Sequence, residues 1–197
     1  MSPATRADSV RDRIVSAAKA EFSQHGIAGA RIDRIAKAAK TSKERVYAYF
    51  SSKVALYRFV SAQELAAVAE ATRTDPTDLP GYAGRVHDYF TDHPERFRLM
   101  SWGQLELDAG DSLPDDAFRK SVTRKIEQLR DAQEAGQLDA GWDPVDILVF
   151  VHQIATAWAA QPELLPPSGD DRATFLTARR AAIVAAVERL FPATTKN

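Results

Sequence analysis

The chain of 197 residues contains no cysteine. That excludes a disulfide framework, a thiolate zinc site and a cysteine nucleophile, and it suits a reducing compartment. No apolar run reaches the roughly 20 residues that a membrane-spanning helix needs. The opening residues, MSPATRADSVRDR, lack the apolar stretch of a secretory signal. The expectation is a soluble, cytoplasmic protein with no membrane partner. No segment alternates apolar and polar residues for long, so strands are not expected. There is no G-x-S-x-G, no phosphate-binding loop and no dinucleotide fingerprint. The four histidines, His25, His87, His93 and His152, form no recognisable metal motif. His87 and Asp88 are adjacent, so on a helix their side chains point apart. Asp108, Asp111, Asp115 and Asp116 flank a loop and read as its solvated edge. No catalytic set, metal or cofactor is expected.

What is present is helical patterning and an uneven distribution of charge. Residues 1–59 hold 12 Lys and Arg against 5 Asp and Glu, net +7; the remainder holds 14 against 22, net −8. A basic head on an acidic body points to an anionic partner for the head. Val10, Ile14, Ala17, Ala18 and Phe22 fall at helical spacing, and Gly26 is placed to end that helix in the left-handed region. Ile32, Ile35, Ala36 and Ala39 form a second, shorter stripe. After a break at Lys40-Thr41, Ser42 is placed to cap a third helix, with Val46 and Phe50 facing inward. Ser51 and Ser52 interrupt again, and a fourth helix is expected over Lys53–Thr72. The cluster Asp75-Pro-Thr-Asp-Leu-Pro-Gly81 reads as a turn. Helices are then expected over 82–91, from Pro94 to about Leu107, over 115–135 ending near Gly136, from Asp143-Pro144 to about Ala160, and over Asp170–Leu190. The fold class is all-α: an N-terminal three-helix domain over 1–59 and a larger helical domain over 60–197.

Three short helices and a longer one, with a tight turn between the second and third, make a helix-turn-helix pattern. The third helix, within TSKERVYAYFSSK (41–53), has two jobs. Val46 and Phe50 anchor it. Thr41, Ser42, Lys43, Arg45 and Tyr47 face outward with hydrogen-bond donors and flat apolar surface suited to DNA. Lys53 opens the fourth helix, where a cation opposes the helix dipole; a phosphate between the two would remove the conflict. An ordinary exposed lysine is the alternative.

The pieces Ile35-Ala36-x-Ala38-Ala39, Thr41-Ser42-Lys43, Val46-Tyr47-x-Tyr49-Phe50 and Ser51-Ser52-Lys53-x-x-Leu56-Tyr57 stand in one register. With the first helix, residues 8–60 resemble the DNA-binding domain of TetR-type transcriptional regulators. The resemblance implies a homodimer that binds a palindromic, double-stranded operator, usually as a repressor, with a small-molecule effector in the body releasing the DNA. It carries base and phosphate contacts onto Thr41, Ser42, Lys43, Arg45, Tyr47 and Lys53, with Tyr49 a weaker candidate. Three departures stand out. Ala30 and Arg31 replace threonines often found there, so the hydroxyl cap of the second helix is missing and Arg31 becomes a phosphate candidate. Lys40 replaces a common turn glycine, which costs energy if the turn needs a positive φ. Ala48 stands where a histidine or tyrosine is common.

In the body, Ala178, Ala182 and Ala186 recur every four residues beside Phe175, Ile183, Val187 and Leu190, and Val145, Leu148, Val149, Ala155 and Ala159 lie on the preceding helix. Paired about a two-fold axis, these two helices would form a four-helix bundle; packing inside one subunit is the alternative. Large rings crowd the middle of the chain: Tyr82, Tyr89, Phe90, Phe97, Trp102, Phe118, Phe150 and Trp158, with Met100. Most such rings serve as core. The effector-binding candidates among them are Phe90, Trp102, Phe150 and Trp158, with His152, for an uncharged or weakly polar molecule. Two other function classes compete with a regulator: a helical small-molecule-binding enzyme, and an interaction protein without DNA binding.

Overall fold

The computed structural model describes residues 10–107, 116–167 and 169–192, the side chains of residues 116–118 excepted. Every regular element among them is helical: α1 (Val10–Gly29), α2 (Ile32–Ala38), α3 (Lys43–Tyr49), α4 (Lys53–Ala71), α5 (Leu79–Asp92), α6 (Pro94–Glu106), α7 (Asp116–Glu134), α8 (Pro144–Thr156) and α9 (Asp170–Leu190), with a single 3-10 turn at Pro162–Leu164. The chain divides into two compact units. One takes Met1–Glu64 with Arg98–Asp115, the other Leu65–Phe97 with Asp116–Asn197. One division falls within α4 and another within α6, most of which belongs to the first unit.

The first unit is built on the expected stripes. Ile14, Ala18 and Phe22 of α1, Ile32, Ile35 and Ala36 of α2, Val46 beside α3's end at Phe50, and Leu56, Tyr57 and Val60 of α4 are all buried in one cluster, which Leu99 of α6 joins. Burial of a large side chain contributes about 1.5–3 kcal/mol, so this core outweighs the weak propensity of helices only seven residues long. Phe22 and Tyr57 meet edge to face at 5.3 Å. The Tyr57 hydroxyl donates to the Leu99 carbonyl at 2.7 Å. Burial pushes this phenol up to about 12, so it stays protonated as a donor.

Two backbone positions carry the turns. Gly26 takes φ 70°, ψ −174° and breaks α1 where the sequence places a left-handed residue. A side chain there would bring a Cβ within 2.5 Å of Glu106 Oε1 and 3.1 Å of the Trp102 ring. Lys40 takes φ 52°, alone among the described non-glycine residues in being positive. The turn therefore holds a lysine in a conformation that glycine adopts without strain. Lys40→Gly is expected to raise the unfolding free energy by about 0.5–1 kcal/mol, read in urea melts; an unchanged or lower midpoint would show the turn to be unstrained.

In the second unit α5 packs against both α8 and α9, α7 against α8, and α8 against α9. Leu79, Tyr82, Ala83, Val86 and Phe90 of α5 are buried, as are Ile147, Val151 and Ala155 of α8, Ile183 and Val187 of α9, and Leu129 and Ala132 of α7. Gly84 leaves room for the Arg180 guanidinium, which pairs with Asp88 at 2.8 Å. Helix α5 starts at Leu79, three residues before the sequence expectation of 82. The Asp78 carboxylate accepts from the Gly81 amide at 2.8 Å, and Pro80 sits in the first turn, where its fixed φ fits and its missing N–H is not needed. The cluster read as a turn is thus also a helix start. Helix α8 ends at Thr156 rather than Ala160, with residues 157–160 in turns.

Candidate nucleic-acid interface

The connection from α2 to α3 closes tightly. The Thr41 amide bonds the Ala36 carbonyl at 3.0 Å around the left-handed Lys40. Ser42 then caps α3, its hydroxyl accepting from the Arg45 amide at 3.2 Å. Val46 and Phe50 are buried, which fixes the roll of α3 and turns the rest of it outward. Ser42, Lys43, Glu44, Arg45, Tyr47, Ala48 and Tyr49 are all exposed, and Thr41 is half-buried. Tyr47 keeps 43 % and Tyr49 42 % of their surface exposed. These are large values for aromatic rings on a seven-residue helix, and core packing does not account for them. Arg45 lies over the Tyr49 ring at 5.9 Å. Lys43 meets Asp33 of α2 at 3.3 Å, an exposed pair of the kind that contributes little. Arg31 is exposed at the start of α2. Ser42, Lys43, Arg45, Tyr47 and Tyr49 therefore all lie outside the core of the first unit, with Thr41 at its edge.

Lys53 is placed differently. Ser52 caps α4 by accepting from the Ala55 amide at 3.0 Å. The Lys53 ammonium, half-buried, donates to the carbonyls of Ala28 and Ala30 at 3.0 and 3.1 Å. Three further side chains act here without a local signal in the sequence. Glu21, buried in α1, accepts from the Arg31 amide at 2.8 Å and pairs with Arg34 at 2.6 Å. Burial raises its pKa, but the bond from Arg34 and then that from Arg31 outweigh this and hold it below the usual carboxylate range. This contact holds the amide of Arg31, the residue before α2, whose own side chain makes no cap. Arg34 also reaches the Gly29 carbonyl at 2.9 Å. Glu106, at the end of α6, accepts from the Ala28 amide at 2.6 Å.

The effector candidates belong to both units. Trp102 belongs to the first unit and packs its ring against Gly26; its indole N–H is buried without a partner. The other four belong to the second unit. Phe90 is buried between Tyr89 and Phe97. Phe150 is 40 % exposed and meets Trp142 edge-on. Trp158 is half-buried against Phe175, with the Arg179 guanidinium over both rings. His152 is half-buried on α8; burial, then the nearby Lys125, lowers its pKa, so it is neutral at pH 7. Met100 is half-buried. The side chains of Phe118 and Asp116, and all of Asp108, Asp111 and Asp115, lie outside the described residues.

Comparison with known proteins agrees with this architecture along most of the chain. Residues 14–60 match the family model for bacterial regulatory proteins of the tetR family, and residues 78–189 match a tetracyclin repressor-like C-terminal domain. The HTH-type transcriptional repressor SCO4008 of Streptomyces coelicolor is 38 % identical over 153 residues, covering 77 % of this chain and 79 % of that one. The HTH-type transcriptional regulator RutR of Escherichia coli K12 is 33 % identical over 156 residues, covering 75 % and 69 %. The crystal structure of SCO4942 from Streptomyces coelicolor superposes with a TM-score of 0.79 at 52 % identity, over 94 % of this chain and all of that one. With a helix-turn-helix whose third helix is anchored on two residues and exposed along the rest, the chain belongs to the TetR family of DNA-binding transcriptional regulators.

Proposed function

We propose that the chain is a ligand-responsive repressor that binds a palindromic operator as a homodimer and has no catalytic activity of its own. The observation that carries this is the outward surface of α3, with Tyr47 and Tyr49 exposed beside Lys43 and Arg45. In this reading residues 42–50 of each head enter a major groove, and the two-fold axis spaces the heads by about one helical turn of DNA, roughly 34 Å. Arg45, Lys43 and Tyr47 read base edges, Tyr49 supports Arg45, and Thr41, Ser42 and Arg31 meet phosphates. The functional division falls near residues 1–59 and 60–197, and the protein works in the cytoplasm, where its operator is.

The homodimer reading is supported by an apolar surface on the second unit. Val145 and Val149 are 46 % exposed, Phe150 stands with them on α8, and Ala178, Ala182 and Ala186 are exposed on α9. Phe150 fits a partner-facing role better than a ligand-binding one, which leaves Phe90, His152 and Trp158 as the effector candidates of the second unit. The effector acts by binding one dimer state more tightly than the other, and its differential affinity sets how far the heads shift.

Tyr47→Ala tests the DNA surface. Operator affinity is expected to fall about tenfold or more, on the scale of a lost base contact, while the melting temperature stays nearly constant, as for other exposed substitutions. A large fall in melting temperature would make Tyr47 a packing residue and remove it from the reading surface.

A further inference from the structure

Between Gly26, where α1 breaks, and Arg31, which precedes α2, five backbone groups are bonded by charged side chains. The Ala28 amide is held by Glu106 of α6 and the Arg31 amide by Glu21 of α1. The Ala28 and Ala30 carbonyls are held by Lys53 of α4, and the Gly29 carbonyl by Arg34 of α2. Acids meet the amides and bases meet the carbonyls. Backbone groups at such a turn need partners, and bonds to ionised groups are shorter and stronger than neutral ones. Ala28 is gripped from both sides, its N–H by Glu106 at 2.6 Å and its C=O by Lys53 at 3.0 Å. Gly26, without a Cβ, gives the Glu106 carboxylate its approach.

We propose that Glu106 and Lys53 are positioning residues for operator recognition, a two-sided clasp on Ala28 that fixes the turn from which α2 and then α3 are launched. The inference rests on the DNA-binding reading above, and it gives Lys53 a role other than the phosphate contact expected from its place in the sequence. Neither side chain need touch DNA. Loss of either should loosen α2 and lower operator affinity without changing the number of phosphates neutralised.

The test uses the full-length protein with Glu106→Ala, Glu106→Gln and Lys53→Met, in two measurements. In the first, hydrogen exchange is followed without DNA. Amides of residues 27–36 are expected to exchange faster in E106A and K53M, and at close to the wild-type rate in E106Q, whose amide oxygen still accepts from Ala28. In the second, operator affinity is measured across salt concentrations. E106A and K53M are expected to bind about tenfold more weakly with an unchanged slope of log K against log salt, and E106Q to recover most of the affinity. A slope shallower by about one in K53M would return Lys53 to the phosphate contacts. Wild-type exchange in E106A would remove the clasp. If the exchange changes appear but the wild-type protein selects no operator, the DNA-binding reading fails and the clasp stands as a feature of the fold.

Discussion

Phe22→Ala is expected to cost about 3–5 kcal/mol, the scale for emptying a fully buried phenylalanine site. The residue has no exposed surface, meets Tyr57 edge to face and belongs to the same buried cluster as Ile14, Ile35 and Leu56. Whole domains are stable by only about 5–15 kcal/mol, so a loss of this size removes much of the margin on which α2 and α3 depend. Those helices have seven residues each and cannot persist without the core that seats them. Operator binding should therefore disappear together with the fold of the head, unlike Tyr47→Ala, where binding falls and the fold remains. Phe22→Leu, which keeps most of the volume, should cost less than about 1.5 kcal/mol. Urea melts followed by circular dichroism check both. A loss below about 1 kcal/mol for the alanine variant would mean that the core closes over the gap.

The second large effect is expected from Val149→Glu. Val149 is nearly half exposed on α8, one turn from Val145 and beside Phe150. If this surface meets a second copy, the substitution buries a carboxylate against apolar groups, and two symmetric copies do so at once. An unpaired buried charge is costly enough to split a dimer. Each head would then bind its half-site alone. Linking two half-sites strengthens binding by about 10²–10⁴, so operator affinity should fall by at least about a hundredfold with little change in the fold of the monomer. Analytical ultracentrifugation reads the first effect and a DNA-binding titration the second. A variant that sediments as the wild type does would move the dimer contact away from α8.

Local features were well marked in the sequence. Gly26 and Ser42 announced a left-handed break and a helix cap, because each depends on residues one to four positions away, while the positive φ at Lys40 was left as a condition that the structure meets. Val46 and Phe50 gave the roll of α3 by their spacing, and with it the exposed surface. Less legible were contacts between distant residues. Glu21 with Arg31, Glu106 with Ala28, and Lys53 with Ala28 and Ala30 join charged side chains to backbone groups 10, 78, 25 and 23 positions apart. A charged residue destined for a backbone amide looks, in sequence, like any solvated one. The start of α5 was hidden for another reason: Asp78 and Pro80 serve a turn and a helix start equally well. The aromatic residues gave the least reliable signal. Helical spacing shows that a ring is turned to one side, not what meets it there, and Phe90, Trp102, Phe150 and Trp158 turn out to have different surroundings.

Selection from genomic DNA tests the proposed reading of DNA sequence by α3 most directly. Purified protein is mixed with sheared DNA from its own source, and the bound fragments are sequenced beside a Tyr47→Ala control. The prediction is an enriched palindrome whose half-sites lie about one helical turn apart, present with the wild type and lost with the variant. Enrichment that survives Tyr47→Ala unchanged, or no enrichment at low salt with or without effector-containing cell extract, would contradict it.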